Sequence, residues 1–412
     1  MTDITDKNSG NDKNGKSNEG GKSGKLQPKL RFKGFTDAWE QRALGGLYKL
    51  NTERNGNQFK ANKTISISTM TFKPKGNGAD NNSLKTYKVL RLGDVAYEGH
   101  TNNEFAYGRF VLNDIGDGIM SPRFSCLRPL KVQNILFWKE YIHSELVMRN
   151  ILVRSTKKGT MMNELVPEDF LRNKIKVPSS REQECIGSLF RCFDSLIAAA
   201  ERKVLLLKKK KHAYLNHIFT QHLRFTGHTT PWQTKKASTL FSSRNQRGHA
   251  DLPVLSATQD SGIIYRDNLN IDIKFDLSSL ESYKLVCPGD FIISLRSFQG
   301  GFEYSNKLGI CSPAYTIFYF INQKEQDANY WRHLFKSHRF IESLKTITFG
   351  IRDGKTISFS EFQTLKVSYP EKTEQVAISS LLNSLDSLIA AAEHKVSLLK
   401  KKKQAYLQKM FV

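Results

Sequence analysis

Between residues 178 and 220, apolar side chains recur at alternating intervals of four and three: Ile186, Phe190, Phe193, Ile197, Ala200, Val204 and Leu207. Tyr214 and Ile218 continue the series, and Lys211 interrupts it. This spacing predicts a long helix with a heptad seam. The pattern returns between 370 and 412 as Ile378, Leu382, Leu385, Ile389, Ala392, Val396 and Leu399, then Tyr406 and Met410, with Lys403 as the interruption. Ser179-Ser180-Arg181-Glu182 follows Pro178 and has the S-x-x-E form that opens a helix. Elsewhere the pattern shortens into β-rich runs at 64–71, 291–295 and 315–320, with helical stretches at 138–153 and 331–346.

The two helical segments are copies. Residues 194–219 recur at 386–411 with 20 of 26 positions identical, an offset of 192. Pro178, Glu182, Gln183, Ile186 and Leu189 return as Pro370, Glu374, Gln375, Ile378 and Leu381. A weaker correspondence extends through the preceding segments. Leu30 to Gly34 matches Leu223 to Gly227, and Trp39 matches Trp232. Tyr87-Lys88 with Gly93-Asp94 matches Tyr283-Lys284 with Gly289-Asp290, Gly118-Ile119 with Ser121-Pro122 matches Gly309-Ile310 with Ser312-Pro313, and Trp138 matches Trp331. The chain therefore divides into a tail (1–26), a first variable domain (27–177), a central helical repeat (178–220), a second variable domain (221–369) and a C-terminal helical repeat (370–412). Two copies of one seam are most simply buried against each other. Paired antiparallel as a coiled coil, they would relate two similar mixed α/β (α+β) domains by a pseudo-twofold axis. A helix of about 37 residues is roughly 55 Å long, a spacer on the scale of one DNA turn plus the domains' own width.

Charge changes this picture from architecture to partner. The chain carries a formal charge of +24, and the first 26 residues hold five Lys against four acids, so the excess belongs to the remainder. A bias of that size points to a polyanion, with nucleic acid ahead of an acidic membrane surface. The tail has only Met1, Ile4 and Leu26 as sizeable apolar groups and is expected to be disordered. Neither a leader segment nor a run of about 18 apolar residues is apparent, so a cytoplasmic protein is expected. Five cysteines without C-x-x-C spacing read as free thiols in a reducing compartment.

Direct readout of DNA wants Arg or Lys for guanine and Asn or Gln for adenine, carried on a loop or edge. The candidates in the first half are Lys73, Lys75, Asn102, Asn103, Tyr107, Arg109, Lys157 and Lys158; in the second, Gln259, Arg296, Gln299, Tyr304, Arg352 and Lys355. Most such contacts serve the phosphates rather than the bases. The lysine runs 208–211 and 400–403 cover a full helical turn each, so they cannot all face one way: they read as a solvated face, with part of each run available to spacer phosphates. Non-seam residues kept in both helices (Asp194, Ser195, Glu201, Lys203) suggest that both helix surfaces meet something identical. Catalytic signatures are missing. Residues 350–356 approach a P-loop but have three residues between the glycines where four are needed. No adenine-methyltransferase tetrapeptide of the Asn/Asp-Pro-Pro-aromatic type and no metal-ligand spacing of histidines occurs. The chain is expected to bind and leave chemistry to others.

The layout of two variable domains alternating with two helical repeats resembles the specificity (S) subunit of type I restriction-modification enzymes. The carriers are the P-x-x-x-E-Q starts at Pro178/Glu182/Gln183 and Pro370/Glu374/Gln375, the D-S-L-I-A-A-A-E cores at 194–201 and 386–393, and the L-L-K-K-K-K-x-A-Y-L segments. The resemblance covers 27–412. It implies two target-recognition domains, each reading about 3 to 5 base pairs of a bipartite double-stranded DNA site across a fixed spacer. It further implies a coiled coil that docks two modification (M) subunits, which would use S-adenosylmethionine to methylate adenine N6, and two restriction (R) subunits using ATP and Mg. No cofactor and no metal is expected in this chain, no catalytic residue, and no membrane partner. A specificity module of another restriction class, an enzyme with an unrecognised DNA-cleaving site, and a coiled-coil scaffold without a DNA role stay open as alternatives. The tail lies outside the resemblance.

Overall fold

The computed structural model describes residues 4–6, 28–258, 262–268, 277–294, 301–347 and 357–411. The chain forms two compact units, Met1–Ala200 with Lys395–Val412, and Glu201–His394. Each unit thus contains one variable domain, part of one long helix and part of the other.

Each unit is organised on a four-stranded antiparallel sheet of the same strand order. In the first it runs Tyr48–Leu50, Ser125–Pro129, Val95–Glu98, Arg109–Leu112. In the second it runs Phe241–Arg244, Thr316–Phe320, Phe291–Ile293, Phe302–Tyr304. Val95 lies opposite Leu127 as Phe291 lies opposite Phe318. Because successive side chains point to opposite faces, each sheet feeds two cores. Val95, Tyr97, Phe110 and Leu127 join the main core under the helix Ile135–His143, while Ala96 and Cys126 join a smaller cluster with Ile65, Leu90 and Met120. The second unit repeats the division: Phe291, Ile293 and Phe318 lie under the helix Ala328–Phe335, and Ile292 and Ile317 meet Leu255 and Val286. The paired tryptophans are the central packing units, Trp138 edge-on to Tyr48 at 5.7 Å and Trp331 edge-on to Phe241 at 5.1 Å.

A short strand pair then hands each domain to a long helix. Glu40–Ala43 pairs with Lys174–Val177 ahead of Ser180–Phe219, the central helix; Gln233–Lys236 pairs with Lys366–Tyr369 ahead of Lys372–Phe411, the C-terminal helix. The expected capping box forms only in half. Ser179 Oγ accepts from the Glu182 amide at 3.3 Å, but the Glu182 carboxylate turns into the protein. There it receives Arg31 Nε and Nη2 at 2.8 and 2.7 Å and Trp39 Nε1 at 3.2 Å. Gln183 closes back on the Pro178 carbonyl at 2.9 Å. In the second unit Glu374 takes Arg224 at 3.0 and 2.6 Å, and Gln375 closes on Pro370 at 2.9 Å. The P-x-x-x-E-Q motif is therefore a clamp that fixes each helix start to its own domain. Trp232, the partner of Trp39 in the repeat, is half-buried and its indole N–H meets no hydrogen-bond acceptor among the described residues.

Several sequence expectations change in the structure. Within the tail expected to be disordered, Ile4–Asp6 pairs with Leu30–Phe32, so at those residues the expectation is corrected: the added strand extends the edge formed by Leu30–Phe32. The run 64–71 is not one strand but two short ones, Ile65–Ser66 and Thr71–Phe72, joined by a turn in which Met70 takes a positive φ of 45°. The expected single helices at 138–153 and 331–346 are each two. They break at Ser144 and Ser337, and Ser337 accepts from the Phe340 amide to start the second helix. Residue 295 and the P-loop-like segment 350–356 lie outside the described residues. The C-terminal helix does hold an 18-residue window of mean hydropathy 1.2, where composition suggested none. Its apolar seam residues Ile378, Leu382, Leu385 and Ile389 are buried inside the second unit.

The clamp makes a direct prediction. Removing the Glu182 side chain leaves the buried Arg31 guanidinium without its charge partner, a change that costs about 3–5 kcal/mol. Glu182→Ala is expected to lower the urea midpoint strongly, whereas the apolar double variant Arg31→Met/Glu182→Leu recovers most of the loss. Equal midpoints for Glu182→Ala and the parent would refute the assignment.

Candidate nucleic-acid interface

The seam residues of both helices are buried or half-buried, and their contacts within each unit run in opposite senses, as an antiparallel pair requires. In the first unit Phe190 meets Phe411 and Phe193 meets Tyr406, with ring centroids 5.7 and 5.4 Å apart. In the second, Lys208 meets Glu393 at 2.7 Å and Lys211 meets Asp386 at 2.5 Å. The interrupting lysines are thus seam residues with partners. Lys403 bonds Asp194 and Glu140, each at 2.8 Å. Burial alone would lower its pKa, but Glu140 and Asp194 outweigh burial and raise it. Asp194, kept in both copies, thus pairs with Lys403 while staying half-exposed, and Asp386 does the same for Lys211. The lysine runs are divided accordingly, with Lys209, Lys210, Lys401 and Lys402 exposed. What the two helices repeat on their exposed surface includes apolar residues beside Ser195, Glu201, Lys203 and their copies Ser387, Glu393 and Lys395. Leu196 and Leu388 are exposed, and so are Leu206 and Leu398.

Position 140 in the first unit corresponds to His333 in the second, counting from the paired tryptophans. His333 Nε2 lies 2.9 Å from Asn383 Oδ1 and 4.0 Å from Asp386. Arg332 also reaches Asp386, at 3.0 Å. Burial first, then Arg332 and Lys211, push the His333 pKa down to about 4, against the pull of Asn383 and Asp386.

In the first unit, the loops leaving the sheet converge on a cleft of about 970 Å³. Its walls come from Tyr97, Gly99 and His100, from Ser121 to Ser125 including Arg123, and from Thr160 to Leu165. The last segment belongs to a ribbon in which Thr156–Lys157 pairs with Glu164–Leu165. The Asn163 amide donates to the Gly99 carbonyl at 2.9 Å, and a Cβ on Gly99 would sit 1.8 Å from the Asn163 oxygen. Only glycine permits this approach, so the ribbon is seated directly on the loop at 99–105.

The sequence candidates fare differently. Lys73, Lys75, Asn103, Lys157 and Lys158 are exposed. Lys157 has a surface partner in Glu164 at 3.3 Å. The Gly99–Asn163 contact brings the loop of Asn102 and Asn103 beside the ribbon of Lys157 and Lys158. Asn102 itself is occupied, its Oδ1 accepting from the Glu104 and Phe105 amides at 2.8 Å, which makes it a turn residue. Arg109 is an internal strut, bonded to Glu98 at 2.7 Å and to the Ser68 carbonyl at 3.2 Å. Tyr107 and Tyr304 pack half-buried against the main cores. Gln259, Arg296, Gln299, Arg352 and Lys355 lie outside the described residues. The cleft adds His100, Arg123 and Asn163, which residue type alone did not single out, because only the folded loops bring them together.

Scaffold roles account for the residues matched between the halves. Asp94 is buried, accepts the Arg91 amide at 2.9 Å and pairs with Arg128 at 2.8 Å; Asp290 accepts the Cys287 amide at 2.8 Å and pairs with Arg244 at 3.1 Å. Lys88 Nζ donates to the Phe124 carbonyl and Lys284 Nζ to the Tyr315 carbonyl, each at 2.7 Å.

No protein-family model matches the chain. It is 23% identical over 388 residues, 85% of its length and 87% of the relative's, to a protein of Methanocaldococcus jannaschii provisionally named type I restriction enzyme MjaX specificity subunit. It is 24% identical over 302 residues to the MjaVIII specificity subunit of the same organism, covering 66% of this chain and 68% of that protein. Among solved structures it superposes on the type I restriction-modification S subunit from M. genitalium with a TM-score of 0.56 at 13% identity, covering 94% of this chain and 99% of the other. A chain from a structure describing complex assembly and conformational transition of the type I restriction-modification system gives 0.52 at 16% identity, covering 90% and 97%. The resemblance read from the helices thus extends to sequence and fold along nearly the whole chain.

His333 generates a pH prediction. Between pH 6.5 and about 4 the unfolded chain binds a proton that folded His333 refuses, so its contribution is full above pH 6.5 and is lost as pH falls towards 4. Melting curves are expected to show the second unit losing stability over this window, with His333→Gln flattening the acid limb. An unchanged limb in that variant would rule out His333 as its source.

Proposed function

We propose that this chain, built on the fold shared with type I restriction-modification S subunits, is the non-catalytic DNA-recognition subunit of such an enzyme. One observation carries the reading: two units repeat the same sheet order, helix clamp and seam ion pair while differing in the loops that surround the sheets. A scaffold duplicated with divergent loops suits a protein that reads two different half-sites of one asymmetric, bipartite duplex. The exposed Lys157, Lys158, Lys209, Lys210, Lys401 and Lys402 suit phosphate contacts, which hold register without selecting sequence.

The repeated exposed leucines suit docking of two identical partners, since a surface offered twice takes the same protein twice. The partners are two M subunits, which carry S-adenosylmethionine and extract the target adenine, and two R subunits, which bring ATP and Mg. The chain works in the cytoplasm beside DNA.

Methylome sequencing of cells expressing the chain with its M subunit tests this. The expected motif is bipartite and asymmetric, with methyladenine in both halves; a continuous palindrome or no new motif would sink the proposal. Replacing residues 221–369 by another recognition domain is expected to change one half only. Lys157→Ala/Lys158→Ala is expected to weaken binding evenly across sequences and to reduce the log–log salt slope by about one for each phosphate no longer neutralised. Leu196→Glu/Leu206→Glu is expected to remove M subunit from the complex, read as a mass loss by light scattering.

A further inference from the structure

The ribbon at 156–165 is fixed on three sides. Leu165 is buried in the main core, and the Val166 amide bonds the Ser155 carbonyl at 2.8 Å. Its flank rests on Gly99 through Asn163. At the turn, a Cβ on Gly159 would fall 2.4 Å from the Met162 oxygen, so the chain folds tightly back on itself. From this rigid tip Met161 projects 75% exposed, while Met162 and Asn163 are half-buried. A single exposed apolar side chain needs no explanation by itself. This one lines the cleft that also bears Arg123 and His100, and the exposed Lys157 and Lys158 belong to the same ribbon.

A two-stranded ribbon fits the major groove of B-DNA, whose floor is a pattern of hydrogen-bonding groups with one apolar mark, the thymine 5-methyl. A thioether side chain donates no hydrogen bond and is a weak acceptor, so among these marks the methyl is the one it can recognise. At the offset of 192, residue 161 corresponds to Asp353, so the two halves differ in chemistry at this position.

Resting on the DNA-recognition role proposed above, we infer that the ribbon enters the major groove of the first unit's half-site and that Met161 reads a thymine there by contact with its 5-methyl group.

The test uses the complex of the full chain with its M subunit, on duplexes carrying its own methylation motif. The half-site of the first unit is the one unaffected by exchange of residues 221–369. Each thymine in it is replaced singly by deoxyuridine, which removes the methyl and keeps every hydrogen-bonding group. At one position the replacement is expected to weaken binding by the parent complex about fourfold, the effect of one buried methyl. The effect is expected to vanish in Met161→Ala and to persist in Met161→Leu, all three melting alike because the side chain is exposed. The inference is overturned if no thymine shows methyl dependence, or if Met161→Ala stays methyl-sensitive. It is also overturned if Met161→Ala weakens binding equally to thymine and deoxyuridine duplexes, which would mark Met161 as a wedge between base steps. A parent complex that methylates a bipartite motif without methyl dependence refutes Met161 alone; absence of any bipartite motif refutes the recognition role itself.

Discussion

An arginine bound to a buried glutamate at the start of each long helix is the constraint on which each unit depends. Arg31 and Glu182 in one unit, and Arg224 and Glu374 in the other, tie the first residues of the variable domain to the first turn of the helix that follows it, some 150 residues later. A carboxylate so placed is costly unless bidentate geometry and neighbouring donors satisfy it, and Arg31 with Trp39 supplies both. The glutamine beside each glutamate closes on the proline carbonyl and ends the preceding strand. The helix therefore leaves its domain at a fixed place rather than through a loose linker. A recognition surface needs that rigidity if its loops are to hold a fixed register on a ligand.

The sheets explain how one scaffold carries two readers. Each four-stranded sheet buries both faces, one under the tryptophan-bearing helix and the other against a smaller apolar cluster, so its strands tolerate little change. Where exchange is tolerated, it is compensated. The buried Asp94 takes its guanidinium from Arg128, whereas Asp290 takes its own from Arg244, and Arg244 stacks 4.8 Å over Tyr319. The loops that leave the sheet are free of that constraint. Around the cleft of the first unit they present Arg123, His100, Asn163 and the ribbon tip, fixed from below by backbone contact and open above.

The helices follow the same logic with one asymmetry. A lysine in a heptad seam is destabilising unless it finds an anion, and Lys211 and Lys403 find Asp386 and Asp194. Such pairs oppose other registers, because a shifted helix would bury the lysine without a partner. The first unit adds Glu140 to its lysine, while the second places neutral His333 at the matching position and brings Arg332 to the shared aspartate. The two seams are equal in shape and unequal in charge.

The repeat, the heptad seams, the two mixed domains and the basic excess were legible in the sequence, because periodicity and duplication are one-dimensional properties and net charge needs no geometry. The apolar seam positions were read from the same periodicity, and in the structure they are buried or half-buried. The partners of charged groups were not legible in the sequence. Glu182 read as a capping residue and Asp194 as a residue outside the seam, and nothing local reveals that the partner of one, Arg31, lies 151 positions earlier in the chain, or that of the other, Lys403, 209 positions later. Residue type likewise nominated Asn102 and Arg109, but it could not show that Asn102 Oδ1 holds a turn or that Arg109 is bonded to Glu98. The cleft with His100, Arg123 and Asn163 exists only once three separated loops are seated together. Burial and long-range pairing decide which polar groups are used up inside and which remain for a ligand, and those are properties of the tertiary structure alone.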